Sequence, residues 1–94
     1  MNYIFEVIDK SGKRSRLTNK QWKHIQVDHP DVSNEEIKQT LQKPLKILKG
    51  KNKKYFYYQY FKNKKSPAKF LRVIVKYLNG DGFVITAYFV KNLN

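Results

Sequence analysis

Two histidines are the leading candidates for acid–base chemistry in this chain of 94 residues. His24 and His29 lie in a segment with helical spacing, where a separation of five residues points them about 140° apart. They cannot chelate one metal ion at that angle, and the sequence has no cysteine to complete a zinc site. Each also has a structural interpretation, His24 as a surface residue and His29 as a packing residue beside Trp22 and Ile25. We expect no metal site and no cofactor.

Metal-independent cleavage of RNA requires only side chains of the kinds found here. The 2′-hydroxyl of RNA is the nucleophile, so the protein supplies a base, an acid and positive charge near the phosphate. Strand alternation places Arg72 and Lys76 on the same sheet face as Thr86 and Tyr88. A half-solvated sheet surface is the alternative interpretation of that face, because threonine and tyrosine favour strands. The candidate catalytic residues are His24, His29, Arg72, Thr86 and Tyr88.

The net charge is concentrated in one segment of the chain. The whole sequence has a formal charge of +13, and residues 37–80 contain 13 basic side chains and no acidic one. The rest of the chain has seven basic and seven acidic residues, so its charges cancel. A charge that served solubility would mix both signs. We therefore expect a polyanion as partner, most commonly nucleic acid, with a lysine-rich solvated surface as the alternative.

An aromatic run adds to this interpretation. Six of the seven residues in Tyr55–Phe61 are aromatic, and lysines flank both ends. Rings in such a run stack on bases while neighbouring lysines contact phosphates. One side of the strand must face the core, and alternation does not decide which, because both sides are aromatic. The candidate nucleic-acid-binding residues are Lys51, Lys53, Lys54, Tyr57, Lys62, Lys64, Lys65 and Lys76.

The pattern of elements predicts an α+β fold in one domain over residues 1–94. An N-terminal hairpin is expected from strands at Tyr3–Ile8 and Lys13–Leu17, joined by a polar turn. Two helices follow. The first begins at an N-cap, Thr18, with Gln21 placed to complete a capping box, and it stops before Pro30. The second begins at a capping box of Ser33 and Glu36 and ends at Pro44.

A four-stranded antiparallel β-meander is predicted for the rest of the chain. Its strands are Leu45–Leu48, Tyr55–Phe61, Phe70–Leu78 and Phe83–Val90. The last two are joined by Asn79-Gly80-Asp81-Gly82, a strong hairpin signal. In this arrangement the apolar face of the sheet consists of Leu71, Val73, Val75, Phe83, Ile85 and Phe89.

Two motifs resemble a known family. The segment from Leu17 to Ile25, followed by Asp28-His29-Pro30, resembles the L-T-x-x-x-W-x-H-I-x-x-x-H-P opening of phage and mobile-element nuclease-like domains. The closing segment Gly82–Phe89 resembles the F-V-I-T-A-Y final strand of the same domains. They belong to the barnase–EndoU–colicin–RelE-like grouping, and the likeness runs from about Leu17 to Val90. The hairpin before Leu17 lies outside these motifs.

The resemblance implies a helix-plus-meander ribonuclease fold and a metal-independent endoribonuclease, often acting as a toxin. Such an enzyme leaves a 2′,3′-cyclic phosphate on the cleaved RNA. By position, His24 and His29 match the helix motif, and Thr86 and Tyr88 match the final strand. Arg72 is added from strand alternation and not from the family motif.

Two other function classes remain as alternatives. One is a non-catalytic nucleic-acid-binding module of phage or mobile-element origin, and the other is a structural or phage-assembly accessory protein whose charge serves only docking. A toxin would have an acidic antitoxin or immunity protein as partner, because the basic surface is its natural docking site. No apolar run reaches the roughly 18 residues of a membrane span. Together with the lack of cysteine, this favours a cytoplasmic protein without a membrane partner.

Overall fold

One six-stranded mixed sheet and two helices make up residues 3–93, which are the residues that the computed structural model describes. Residues 1, 2 and 94, which the predicted domain includes, lie outside the described part. The elements in chain order are β1 (Tyr3–Ile8), β2 (Arg14–Thr18), α1 (Asn19–Asp28), α2 (Asn34–Gln42), β3 (Lys46–Lys49), β4 (Lys54–Tyr60), β5 (Phe70–Leu78) and β6 (Asp81–Val90). The strand order across the sheet is β1-β2-β6-β5-β4-β3.

The predicted architecture, with an N-terminal hairpin separate from a four-stranded antiparallel meander, is wrong. β2 pairs with β6 in parallel through Ser15–Gly82 and Arg16–Phe83, so the hairpin extends the sheet from four strands to six. The other neighbouring strands pair antiparallel. The coarser prediction of a small α+β fold agrees with the structure. The parallel contact is only two residue pairs long, so it leaves no periodic signal in the sequence.

Local sequence signals set the starts of both helices. The Thr18 hydroxyl accepts a hydrogen bond from the Gln21 backbone N–H at 3.1 Å, and Ser33 with Glu36 forms the complete capping box predicted for α2. The capping box predicted for α1 is only half formed, because the Gln21 side chain does not bond back to the Thr18 backbone. The Gln21 amide instead donates to the Ile85 carbonyl at 2.5 Å. This bond holds the first turn of α1 against β6.

The two faces of the sheet have different environments. The core face carries Leu71, Val73 and Val75 of β5, which are fully buried against Ile25 of α1 and Leu41 of α2. Because successive side chains of a strand alternate, the residues between them project from the opposite side. We call this side the second face. Its members, aligned by strand register, are Lys46, Leu48, Lys54, Phe56, Tyr58, Tyr60, Phe70, Arg72, Ile74, Lys76, Phe83, Thr86, Tyr88 and Val90.

A β-bulge in β6 changes which of its residues face the core. The register with β5 shifts at Ile85, which has no partner of its own in the pairing. Val84 and Ala87 are therefore buried, whereas Phe83 and Ile85, predicted on the apolar face, are only half-buried. Phe89, the third residue predicted there, does pack against the core.

Where β6 passes between β2 and β5 at position 82, the structure leaves no room for a side chain. A Cβ atom at Gly82 would lie 2.8 Å from Tyr77 Cε1 and 2.9 Å from Val75 Cγ1, and it would also overlap Ser15 Oγ. Glycine at position 82 is therefore required for the close approach of the strands, and the predicted four-residue turn is shorter, with Asn79 and Gly80 as its residues of positive φ.

A buried carboxylate fastens the hairpin next to this contact. Asp9 is 4% exposed, and its Oδ2 accepts hydrogen bonds from Ser15 Oγ at 2.5 Å and Tyr77 OH at 2.6 Å. Ser11 donates to Oδ1 from its backbone and its hydroxyl, and Tyr57 OH lies 2.6 Å from Tyr77 OH. Burial by itself would raise the pKa of Asp9, but these hydrogen bonds outweigh it and lower the pKa. Burial and the bond to Asp9 raise the pKa of Tyr77.

Gly82→Ala should lower the free energy of unfolding by about 1–3 kcal/mol, because an added methyl overpacks the contact between β2 and β6. Urea unfolding followed by circular dichroism measures the change. Lys49→Ala, on the exposed edge strand β3, is the control and should stay within about 0.5 kcal/mol of the wild type. Equal stability of the Gly82→Ala variant would contradict the close approach of the strands.

Asp9→Asn should destabilise the protein at neutral pH, and its difference from the wild type should shrink in acid. A carboxylate with a lowered pKa stabilises the fold above its unfolded pKa, about 3.9, and this contribution is lost as the pH falls through the folded value. Urea unfolding of both proteins at a series of pH values measures the difference. Val27→Ala, an exposed and non-titrating change, should give a constant difference. A gap that stays constant for Asp9→Asn would contradict the lowered pKa.

Candidate nucleic-acid interface and catalytic site

A row of polar side chains crosses the second face at right angles to its strands. Lys46 of β3 is opposite Tyr58 of β4, Tyr58 is opposite Arg72 of β5, and Arg72 is opposite Tyr88 of β6. Directly opposed residues of antiparallel strands project from the same side of the sheet with their Cβ atoms about 5 Å apart. The register of four strands thus brings two phenols and two cations into one line.

Arg72 lies at the centre of this row and is held on both sides. Its Nε donates to Tyr58 OH at 2.9 Å, and its Nη1 donates to Tyr88 OH at 2.8 Å. Its guanidinium carbon is 5.4 Å from the centre of each ring. Burial would lower the pKa of Arg72, but the bonds to the two phenols raise it. The guanidinium is therefore a fixed, permanently charged group.

The end of α1 adds a histidine to the row. The His29 ring stacks on the Tyr88 ring, with centroids 5.4 Å apart and planes 24° apart. His29 is the C-cap of α1, and its backbone N–H donates to the Ile25 carbonyl at 2.7 Å. Because Ile25 is buried in the core, the cap position of His29 is fixed by the packing of the helix. A connected series of contacts therefore runs from His29 through Tyr88 to Arg72.

His24 lies five residues before His29, in the middle of α1, and is exposed. It lines a shallow cavity of about 330 Å³ between α1 and β6, together with Asp28 and Thr86. Thr86 and Tyr88 are two residues apart on one strand, so their side chains lie roughly 7 Å apart on the second face. Four of the five candidate catalytic residues therefore lie on β6 or on α1 and its C-cap, and the fifth, Arg72, lies on the neighbouring strand β5.

The candidate lysines form two groups at opposite ends of β4. Lys51 and Lys53 are exposed in the turn before β4, and Lys54 at its start is opposite Lys76 of β5. Lys62 and Lys65 are exposed in the loop after β4. Because β4 has seven residues, the two groups are roughly 20 Å apart.

Lys64 differs from the other loop lysines because it has partners within the protein. Its Nζ lies 3.0 Å from a Glu36 carboxylate oxygen and donates to the Asp31 carbonyl at 2.7 Å. The same atom is 4.6 Å from the centre of the Phe89 ring. Lys64 therefore ties the β4–β5 loop to the helices, and its charge is partly compensated.

The aromatic run divides between the two faces. Tyr57, predicted to contact nucleic acid, is fully buried in the core, so no base can reach its ring. Phe56, Tyr58 and Tyr60 project from the second face. Tyr58 is a site residue that the sequence analysis missed, and it is 1% exposed although it lies outside the core cluster. Only the register of β4 against β5 distinguishes it from Tyr57.

No protein-family model, curated protein or solved structure matches this chain. The resemblance to the barnase–EndoU–colicin–RelE-like grouping therefore stays an expectation from two motifs. Within residues 3–93, no three histidine, aspartate or glutamate side chains cluster as metal ligands would. No helix of that described range is long and apolar enough to cross a membrane.

Tyr88→Phe should be energetically coupled to Arg72→Leu, because each change removes one partner of the same hydrogen bond. We expect a coupling energy of about 1 kcal/mol in a double-mutant cycle measured by urea unfolding. Tyr88→Phe combined with Lys38→Ala is the control, since Lys38 belongs to α2, and these two changes should add. Simple additivity for Tyr88 and Arg72 would contradict the central hydrogen bond of the row.

Proposed function

We propose that the protein is a metal-independent endoribonuclease with toxin-like action on RNA. The observation that carries the proposal is the Arg72 guanidinium held between Tyr58 and Tyr88, with His29 stacked on Tyr88. A fixed cation, hydroxyl groups and an adjacent imidazole are the groups that cleavage of RNA by its own 2′-hydroxyl needs.

In the proposed reaction, one histidine accepts the proton of the 2′-hydroxyl as its oxygen attacks the adjacent phosphorus. The bond from phosphorus to the 5′-oxygen breaks, and this oxygen takes a proton from the second histidine. The products are a 2′,3′-cyclic phosphate and a 5′-hydroxyl. Arg72 stabilises the charge on the phosphate oxygens, while Thr86 and Tyr88 position the phosphate by hydrogen bonds.

The placement of the two histidines supports this division of roles. His29 contacts Tyr88, and His24 lines the cavity that contains Thr86, so they approach β6 at neighbouring positions of the second face. A base and an acid that act on one phosphate must each be within reach of the proton that it moves. The helical angle that rules out joint metal binding is therefore compatible with acid–base catalysis.

A non-catalytic nucleic-acid-binding module is the second candidate function. It is favoured by the exposed lysines at both ends of β4 and by the partly exposed aromatic residues that β4 adds to the second face, Phe56 and Tyr60. These features would bind a polyanion whether or not the histidines transfer protons.

The proposal includes a partner and a compartment. A toxin that binds RNA through this basic face would be neutralised by an acidic antitoxin or immunity protein that covers the same face. We place the protein in the cytoplasm, where RNA is available and where a chain without cysteine needs no oxidising environment.

Purified protein should cleave labelled single-stranded RNA in the presence of EDTA and leave a 2′,3′-cyclic phosphate end. The same oligonucleotide with 2′-O-methyl groups should stay intact, because it lacks the nucleophile. His29→Phe keeps a stacked ring but removes the proton acceptor, and we expect it to reduce the cleavage rate about 100-fold or more. His24→Ala should reduce the rate by the same mechanism. Gel electrophoresis and mass spectrometry of the products measure these outcomes.

Val27→Ala, a change at an exposed position of α1, is the matched control and should cleave at the wild-type rate. A gel shift without cleavage, unchanged in both histidine variants, would favour the binding module. Cleavage abolished by EDTA would contradict a metal-independent mechanism.

A further inference from the structure

An aromatic pair on the second face has no role in the proposed reaction. Tyr60 of β4 and Phe70 of β5 are directly opposite each other, with ring centroids 5.2 Å apart and planes 57° apart. Tyr60 is 46% exposed, so its ring is accessible to a partner. Val90 of β6 is opposite Phe70 and completes an apolar row.

This aromatic row lies next to the polar row of Arg72. Tyr60 follows Tyr58 by two residues and Phe70 precedes Arg72 by two, so the two rows are roughly 7 Å apart along the strands. A phosphate held by Arg72 would therefore have a neighbouring nucleotide within reach of the Tyr60 and Phe70 rings.

The charge around the pair indicates what covers it. Lys62 and Lys65 are exposed in the loop after Tyr60, and Glu36, the acidic residue that lines the same cavity as Tyr60 and Lys62, is paired with Lys64 at 3.0 Å. An exposed ring beside lysines is the arrangement with which proteins stack a base while they contact the adjoining phosphates. This charge pattern favours a nucleic acid over an apolar protein surface as the occupant.

We propose that Tyr60 and Phe70 form a stacking platform for an unpaired nucleobase, which makes single-stranded RNA the preferred substrate. A base within a duplex has both faces covered by its neighbours, so only an unpaired base can stack on these rings. The position of the neighbouring phosphate at Arg72 rests on the proposed ribonuclease function, whereas the stacking itself requires no cleavage.

Binding of a 2′-O-methyl RNA strand tests the platform separately from catalysis. The probe is a fluorescein-labelled strand of about 12 nucleotides, within the site sizes of single-strand-binding folds, used alone or annealed to its complement. Because it cannot be cleaved, fluorescence anisotropy reports binding only. We expect the wild type to bind the single strand more tightly than the duplex.

Tyr60→Ala should weaken single-strand binding about tenfold and leave duplex binding nearly unchanged, because only the unpaired base uses the ring. Tyr60→Phe, which keeps the ring, should bind like the wild type. Tyr60→Leu, which is apolar but not planar, should bind like Tyr60→Ala. Since Tyr60 is exposed, these variants should keep the wild-type circular dichroism spectrum and unfolding midpoint.

Three results would overturn the platform: equal loss of single-strand and duplex binding, wild-type binding by Tyr60→Leu, or wild-type binding by Tyr60→Ala. If RNA is cleaved as proposed but Tyr60→Ala binds normally, the ribonuclease function stands and the platform fails. If binding depends on Tyr60 but unmodified RNA is not cleaved, the platform stands and the ribonuclease function fails.

Discussion

The close approach of β2 to β6 at Gly82 is the contact on which the rest of the structure depends. It joins the N-terminal hairpin to the other strands, and Ser15 brings the buried Asp9 network to the same point. The last residue of β2 that pairs with β6 is Arg16, and α1 begins three residues later. The start of α1 therefore lies beside the part of β6 that β2 does not pair with. Gln21 bonds to the Ile85 carbonyl there. The helix that carries both histidines is consequently positioned by a contact that involves neither of them.

The bulge at Ile85 is the second constraint, and it determines which side chains reach the second face. Val84, Thr86 and Tyr88 would share one face in a regular strand, because side chains alternate. Val84 is buried in the core, so an uninterrupted β6 would also turn Thr86 and Tyr88 inward. The additional residue reverses the alternation and directs Tyr88 towards Arg72 and His29. Bulges commonly re-aim side chains near functional sites, and this one assembles the row.

Features of the structure that depend on nearby residues were predictable, whereas those that depend on register were not. Thr18 and Ser33 cap the helices as their local patterns indicate. The sequence around Gly82 predicts a turn. It does not predict the contact of Gly82 with Ser15, because Ser15 lies on a strand more than sixty residues earlier in the chain. The candidate site follows the same rule. Alternation places Arg72 with Thr86 and Tyr88, but an aromatic residue at nearly every position of β4 conceals that Tyr57 is core and Tyr58 is site.

The division of charge along the chain explains why the site needs this fold. Arg72 comes from the basic segment, while Tyr88 and His29 come from the flanks whose charges cancel. Arg16 is held by the carboxylates of Glu6 and Asp81, which offset its charge. Arg72 is instead oriented by hydrogen bonds from its guanidinium to the phenol oxygens of Tyr58 and Tyr88. A site that attracts phosphate needs a cation fixed in this way, and the sheet provides it by aligning phenols from two different strands on either side of one arginine.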